Sequence, residues 1–395
     1  MTLVDLWQKS PEQFGGKKVH QIIAFAGGGG KLRDGNEASE EFRTLLRAIP
    51  SDLLAKYAED CLSGGFEESG FALQDVINEV GHRLGFVVTP GRYRGVSGAV
   101  GFDGLWRSTK GFSIVVEAKT TDAYRIDFQT LAGYRLNLIR EREIEEHASS
   151  VLVVVGREDT GGLEAQIRGS RQAWDIRLIS VGALLRLLQV KEDTEDPRIH
   201  QQIADVLVPN EFTRLDSIIN LVFATVADLR QEEEGPAIAE KPRSPKSDDA
   251  SKPEAGLRES SVSRIQKFLG KGVVKKSRAL YGTPDGKMLI VCALSREYTK
   301  GGRESYWFGF HDYQEEVLGR ADDAYVAFCC GSAHNVVLIP FQKFRKLLDR
   351  SWKSQQEGRT WWHIVIEREE GRLVLRRMKG KEGIDLTPFL IRGNT

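Results

Sequence analysis

The chain has 395 residues, 41% of them hydrophobic, and its 56 Lys and Arg offset 56 Asp and Glu to a formal charge of zero. That balance excludes a disordered polyelectrolyte, and at about 100 to 200 residues per domain the length implies two or three folded units. The apolar runs fall short of the ~18–20 residues of a membrane span, the opening MTLVDLWQKSPEQ lacks a secretory layout, and four cysteines without a C-x-x-C pair make no disulfide scaffold.

The expected compartment is therefore the cytoplasm, with no membrane partner. Charge is segregated along the chain. Residues 258–395 hold 25 basic against 16 acidic residues, and the preceding part is correspondingly acidic. A basic module of this kind can hold a polyanion. Residues 231–257 (QEEEGPAIAEKPRSPKSDDASKPEAGL) carry four prolines and no aromatic side chain, the composition of a flexible linker. The expected organisation is a domain over 1–230, a linker over 231–257 and a second domain over 258–395.

In chain order, Val19–Ala26 reads as a short strand running into the glycines Gly27–Gly30, and Ala38–Leu62 as a helix. Phe71–Leu84 follows as a helix with Leu73, Val76, Ile77, Val80 and Leu84 on one face and Gly85 as its stop. Gly98–Trp106 and Phe112–Lys119 read as two strands joined by the turn Arg107–Gly111, a hairpin. Ile126–His147 has the period of a long helix, Val151–Val155 is a buried strand, Leu163–Trp174 a helix, Ile176–Ser180 a strand and Val181–Val190 a helix. Antiparallel strands followed by alternating helix and strand describe a mixed α/β sheet flanked by helices.

The hairpin carries the chemistry. Side chains alternate along a strand, so Phe112, Ile114 and Val116 point to one face and Val115, Glu117 and Lys119 to the other. The hairpin brings Asp103 to the same sheet edge. Two carboxylates suit a hard divalent ion such as Mg²⁺, which lowers the pKa of a bound water and neutralises phosphate charge. A lysine beside them can orient that water or stabilise developing negative charge. This is equipment for phosphodiester hydrolysis.

Gly101-Phe-Asp103, the spacing to Glu117-Ala-Lys119 and the flanking helices resemble the PD-(D/E)xK superfamily, the restriction-endonuclease-like nucleases. The resemblance covers about residues 65–190, with Phe102 standing where the motif has proline. It implies a restriction-endonuclease-like fold, with Asp103 and Glu117 as metal ligands, the Ala118 carbonyl as a further ligand and Lys119 on the attacking water. Many members also place a glutamate on the helix before the hairpin, a position that Glu79 occupies. Members related to methylation-dependent restriction enzymes often carry Gln-x-x-x-Tyr on the next helix; here Gln129 and Tyr134 depart from that pattern by standing five apart, which leaves Gln129 as a weak candidate nucleic-acid contact.

Arg92, Arg94, Arg107 and Lys110 cluster in sequence around the hairpin, and Gln166 and Arg168 follow the buried strand. Such side chains fix a phosphate backbone without reading its sequence. The glycines before Lys31 fail the P-loop pattern, which needs glycine at Phe25 and Ser or Thr at Leu32. Cys329 and Cys330 read as buried strand residues and not as zinc ligands.

The C-terminal part reads as a separate, β-rich α+β domain of no recognised family. Its strands are expected at Met288–Ser295, Tyr306–Phe310, Tyr325–Cys330, Val336–Pro340, Trp361–Ile366 and Leu373–Arg377, with a helix at Phe341–Leu348. Trp307, Trp352, Trp361 and Trp362 lie in it; Trp307 and one of the adjacent pair are expected in its core, although aromatics on a basic surface also suit base stacking. The function expected from all of this is a Mg²⁺- or Mn²⁺-dependent DNA endonuclease, a restriction or antiviral defence enzyme whose C-terminal domain selects DNA, modified DNA included. A double-strand cut would favour a homodimer. The alternatives are a noncatalytic nucleic-acid-binding protein and a repair or recombination nuclease for branched DNA.

Overall fold

Helices come first: α1 (Leu3–Lys9), α2 (Glu12–Gly15), α3 (Val19–Ile23), α4 (Glu37–Ala48), α5 (Ser51–Ser63) and α6 (Ser69–Leu84). The expected strand at Val19–Ala26 is helical because Val19, Ile22 and Ile23, spaced three and four apart, are all buried together. The single helix expected over Ala38–Leu62 breaks at Ile49–Pro50, where Ile49 is extended (ψ 155°), as a residue before proline prefers. α6 ends on Gly85 at φ 105°, a left-handed cap that glycine adopts without strain.

The computed structural model describes residues 1–63, 65–94, 101–120, 127–156, 161–170, 175–194, 197–208, 251–300, 303–348, 351–356, 359–376 and 383–391. The chain divides into two units, Met1–Glu233 and Glu234–Thr395. Of the expected linker, residues 231–250 lie outside the described residues, and 251–257 belong to a helix.

The N-terminal unit is completed by β1 (Val87–Pro90), β2 (Gly104–Arg107), β3 (Ser113–Lys119), α7 (Phe128–Arg140), β4 (Ser149–Val155), α8 (Gly161–Arg168), β5 (Ile176–Ser180), α9 (Val181–Asp193) and α10 (Pro197–Val206). Its sheet runs β1-β2-β3-β4-β5. β2 pairs antiparallel with β1 and β3, opposing Gly104 to Val116, while β3, β4 and β5 are parallel. Residues 98–100 of the expected hairpin lie outside the described residues, and α7 ends well before the expected His147.

The alternation in β3 separates two cores. Ile114 and Val116 pack with Trp106 against Leu73, Val76, Ile77 and Val80 of α6. Val115, with Leu105, packs on the opposite face among Phe128, Leu131 and Leu138 of α7 and Leu163 and Ile167 of α8. β4, covered on both faces, is buried at all seven positions and is almost wholly aliphatic, as a central parallel strand must be.

The C-terminal unit contains α11 (Ser251–Leu269), β6 (Val274–Lys275), β7 (Leu280–Gly282), β8 (Met288–Ser295), β9 (Tyr298–Lys300), β10 (Arg303–His311), α12 (Asp312–Gly319), β11 (Asp323–Cys330), β12 (Val336–Pro340), α13 (Phe341–Leu348), β13 (Trp352–Gln356), β14 (Arg359–Glu369), β15 (Arg372–Leu375) and β16 (Ile384–Asp385). One sheet runs β12-β11-β8-β7-β6; the other runs β16-β15-β14-β10-β9, with β13 also on β14. Phe308, Phe310, Phe328, Phe341, Phe344 and Trp362 form its core. Trp307 and Trp361 do not join that core: each is one residue out of phase with a buried neighbour, and so faces outward, half-buried. Cys292 and Cys329 lie on adjacent parallel strands with their sulfurs 3.6 Å apart, both buried and free.

Candidate active site

Asp103 sits immediately before β2, opposite the end of β3. Its N–H donates to the Val116 carbonyl at 3.0 Å. Its own carbonyl accepts from Gly91 N–H at 2.9 Å, Asn78 Nδ2 at 2.9 Å and Gln74 Nε2 at 3.1 Å. Its carboxylate Oδ2 accepts the Ala118 N–H at 2.7 Å. Two glycines permit this crowding. A Cβ on Gly91 would lie 1.7 Å from the Phe102 carbonyl oxygen, and one on Gly104 would lie 2.1 Å from Asn78 Oδ1.

Glu117 and Lys119 extend the α7-facing alternation of Val115, so they share a face with the Asp103 carboxylate. The Lys119 ammonium is ion-paired with Glu117 Oε1. Burial and the neighbouring Glu117 charge push the Asp103 carboxyl up to about 7, against the opposing pull of the Ala118 amide and Lys119. Burial acts to lower the Lys119 ammonium, but Glu117 and then Asp103 outweigh it and hold its pKa above the ordinary value. Tyr134, on α7, borders the same place: a Cβ on Gly101 would meet its ring at 3.3 Å.

Asp103, Glu117, Ala118 and Lys119 therefore come together as the hairpin predicts. Glu79 does not join them. It lies on the flank of α6 turned toward α4 and α5, where its Oε1 accepts from Arg83 Nε at 2.9 Å. Arg83 in turn donates to Ser51 Oγ at 2.6 Å and to the carbonyls of Leu46 and Ile49 at 2.7 Å. The α6 side chains that reach Asp103 are Gln74 and Asn78, both nearly fully buried. The helical period alone does not single them out, because the polar Asp75 and Glu79 are their immediate neighbours on the same helix.

The basic candidates divide. Arg92 and Arg94 are exposed beside buried Tyr93, on the loop leaving β1 at its Asp103 end. Arg107 ends β2 at the opposite end from Asp103, within reach of Thr89 (3.1 Å) and Glu143 (3.5 Å), and Lys110 pairs with Asp205. Both are held at the far end of the hairpin. Gln129, in the first turn of α7, and Gln166 and Arg168, on α8, are exposed on the helices covering the site's face; Arg168 lies 3.5 Å from Glu164.

Among the described residues no three His, Cys, Asp or Glu side chains cluster as a metal cage. The donors present nevertheless fit a divalent ion of the Mg²⁺ kind. They are two hard carboxylates on one face, one of them holding a proton tightly because it is buried and lies beside the other's charge, and such ions complete their shell with water. Among the described residues no helix is long and apolar enough to cross a membrane. No protein-family model matches the chain, and no curated protein shows significant similarity to it.

Proposed function

We propose that the N-terminal unit is a metal-dependent endodeoxyribonuclease with a restriction-endonuclease-like fold of the PD-(D/E)xK kind. The observation that carries this reading is the convergence of Asp103, Glu117 and Lys119 on one face at the ends of paired strands, tied together by the bond from Ala118 N–H to Asp103. Asp103 and Glu117 would hold Mg²⁺ or Mn²⁺, with the Ala118 carbonyl beside them. When bound, the ion supplies an acidified water and neutralises charge on the phosphate. Lys119 has three N–H donors. Glu117 engages one of them, and the others can orient the nucleophilic water or a phosphate oxygen. Gln74 and Asn78 fix the main chain of Asp103 and so the direction of its carboxylate.

DNA is the proposed polyanion, and the basic C-terminal unit the part that selects it, modified DNA included, in a restriction or defence role. Cutting both strands would favour two such sites and hence a homodimer. The test is incubation of the full chain with Mg²⁺ or Mn²⁺ and linear, modified, branched and single-stranded DNA, beside Glu117→Ala and Lys119→Ala. Metal-dependent cleavage that both substitutions abolish is expected. Preference for branched substrates would move the role to repair or recombination. Binding without any cleavage would favour the second reading, a noncatalytic nucleic-acid-binding protein, which the commitment of Glu79 to Arg83 favours.

A further inference from the structure

The outward face of the C-terminal six-stranded sheet carries rings that its core does not use. Along β10, Trp307, Gly309 and His311 occupy the positions that face away from the core. The antiparallel register places Gly309 opposite His363 and His311 opposite Trp361, and β13 adds Trp352 and Ser354 on the same face. Gly309 makes a hollow in this face. A Cβ there would stand 3.6 Å from the Trp307 indole, 3.8 Å from the His311 ring and 3.9 Å from the Trp361 indole. Those three rings thus border the place of one missing side chain at ordinary contact distance.

The polar edge of the hollow has a defined direction. Trp307 Nε1–H, which can only donate, lies 3.2 Å from His363 Nδ1, so that nitrogen accepts. Burial lowers the His363 pKa, favouring the neutral ring, which then carries its proton on Nε2 and donates to Ser354 Oγ at 2.6 Å. The Ser354 hydroxyl hydrogen is thereby turned away from His363. The face thus offers ring surfaces for stacking and one oriented hydroxyl at their margin.

We propose that this hollow stacks an unpaired nucleobase of a DNA strand on Trp307 and Trp361 over Gly309, with Ser354 at the base edge. Stacking on indoles is tolerant of base identity and needs a basic surround to hold the backbone. The segment 258–395 is basic as a whole, with 25 basic against 16 acidic residues, and so favours a polyanion. A cationic guest, the other natural occupant of an aromatic cage, is disfavoured: Glu367 and Glu369, the carboxylates further along the same face, are paired with Arg376 and Arg303, and the net charge of the segment repels it. The choice of DNA as the strand rests on the nuclease reading; the stacking site does not.

The experiment is binding of the full chain to a fluorescently labelled single-stranded oligodeoxynucleotide in EDTA, read by anisotropy and by quenching of tryptophan emission. Keeping metal out separates this result from the fate of the nuclease reading. Trp361→Ala is expected to weaken binding about tenfold or more and to reduce quenching. Gly309→Ala, whose methyl occupies the hollow at ordinary contact distance from all three rings and so leaves them in place, is expected to weaken binding similarly with unchanged thermal unfolding. Wild-type affinity in both variants overturns the site, as does failure of the wild type to bind any oligonucleotide. Quenching by tetramethylammonium in place of DNA overturns the guest, and tighter binding of the matching RNA overturns the choice of strand.

Discussion

Asp103 Oδ2 accepts the Ala118 amide hydrogen at 2.7 Å, so the carboxylate before β2 is fastened to the strand that bears Glu117 and Lys119. Asp103→Asn keeps an acceptor for that amide and relieves a buried like-charge contact. It is expected to unfold within about 1 kcal/mol of wild type while losing cleavage. Asp103→Ala leaves the amide unpaired and is expected to cost a further ~1–2 kcal/mol. Chemical denaturation beside a cleavage assay separates the two effects.

Glu79 offers the sharpest division between fold and chemistry. Its carboxylate serves Arg83, whose guanidinium closes the junction of α4 and α5. Glu79→Ala leaves a buried cation without its partner and is expected to cost about 3 kcal/mol. The milder Glu79→Gln should still cleave within a few-fold of wild type, whereas Glu117→Gln should not. Equal loss of cleavage in stable, folded Glu79→Gln and Glu117→Gln proteins would place Glu79 in the chemistry after all.

Asn78 holds two partners: it donates to the Asp103 carbonyl at 2.9 Å and accepts from Trp106 Nε1 at 2.9 Å. Gln74 holds the same carbonyl alone, at 3.1 Å. Asn78→Ala strands the fully buried indole N–H and is expected to destabilise by ~2 kcal/mol, more than Gln74→Ala, since the carbonyl retains other donors in either case. Urea midpoints rank the two.

Gly81 packs face to face with a ring. A Cβ there would fall 2.5–2.8 Å from the Trp106 indole, which is fully buried and cannot retreat. Gly81→Ala is therefore expected to destabilise by about 1–3 kcal/mol through overpacking, despite alanine's better helix propensity. A fall in the midpoint of thermal unfolding checks it.

Asp60 sets an acid dependence. Burial acts to raise its pKa, but the Lys18 ion pair at 2.8 Å, the Val19 amide at 3.0 Å and Lys56 outweigh it and hold the carboxyl below its ordinary value. The folded state thus binds this proton less readily than the unfolded chain. The stability that results is fully present above the unfolded value, about 4, and is lost as pH falls through the lower folded one. Asp60→Asn is expected to lose about 1 kcal/mol at pH 7 and to converge with wild type at strongly acid pH, as a denaturation series over pH would show.

The strand pairing and the trio at its end were legible because period-two alternation is local: reading Val115, Glu117 and Lys119 onto one face required only β3 itself. The C-terminal helix Phe341–Leu348 and strand Val336–Pro340 were legible from signals that are equally local, a three-and-four spacing of apolar residues and a short continuous apolar run. What escaped depends on contacts distant in sequence. β1 has only four residues, and its identity as a strand comes from pairing with β2. Val19–Ile23 is a helix because tertiary burial of three side chains overrides their strand propensity. Glu79 and Gln74 lie on one helix, and nothing local tells which of them turns to Asp103. Trp361 and Trp362 were an ambiguous pair until the register with β10 set Trp362 inward.

The main chain of Asp103 is bound on every side, with three donors on its oxygen and an acceptor for its hydrogen. A residue held in this way cannot follow a guest; its position is decided before anything arrives. Accommodation at this edge of the sheet must then come from the half-exposed Lys119 and the exposed Arg92 and Arg94. Substitutions of those two arginines can retune what is admitted without disturbing the anchor, whereas a change in the α6 amides would move the anchor itself.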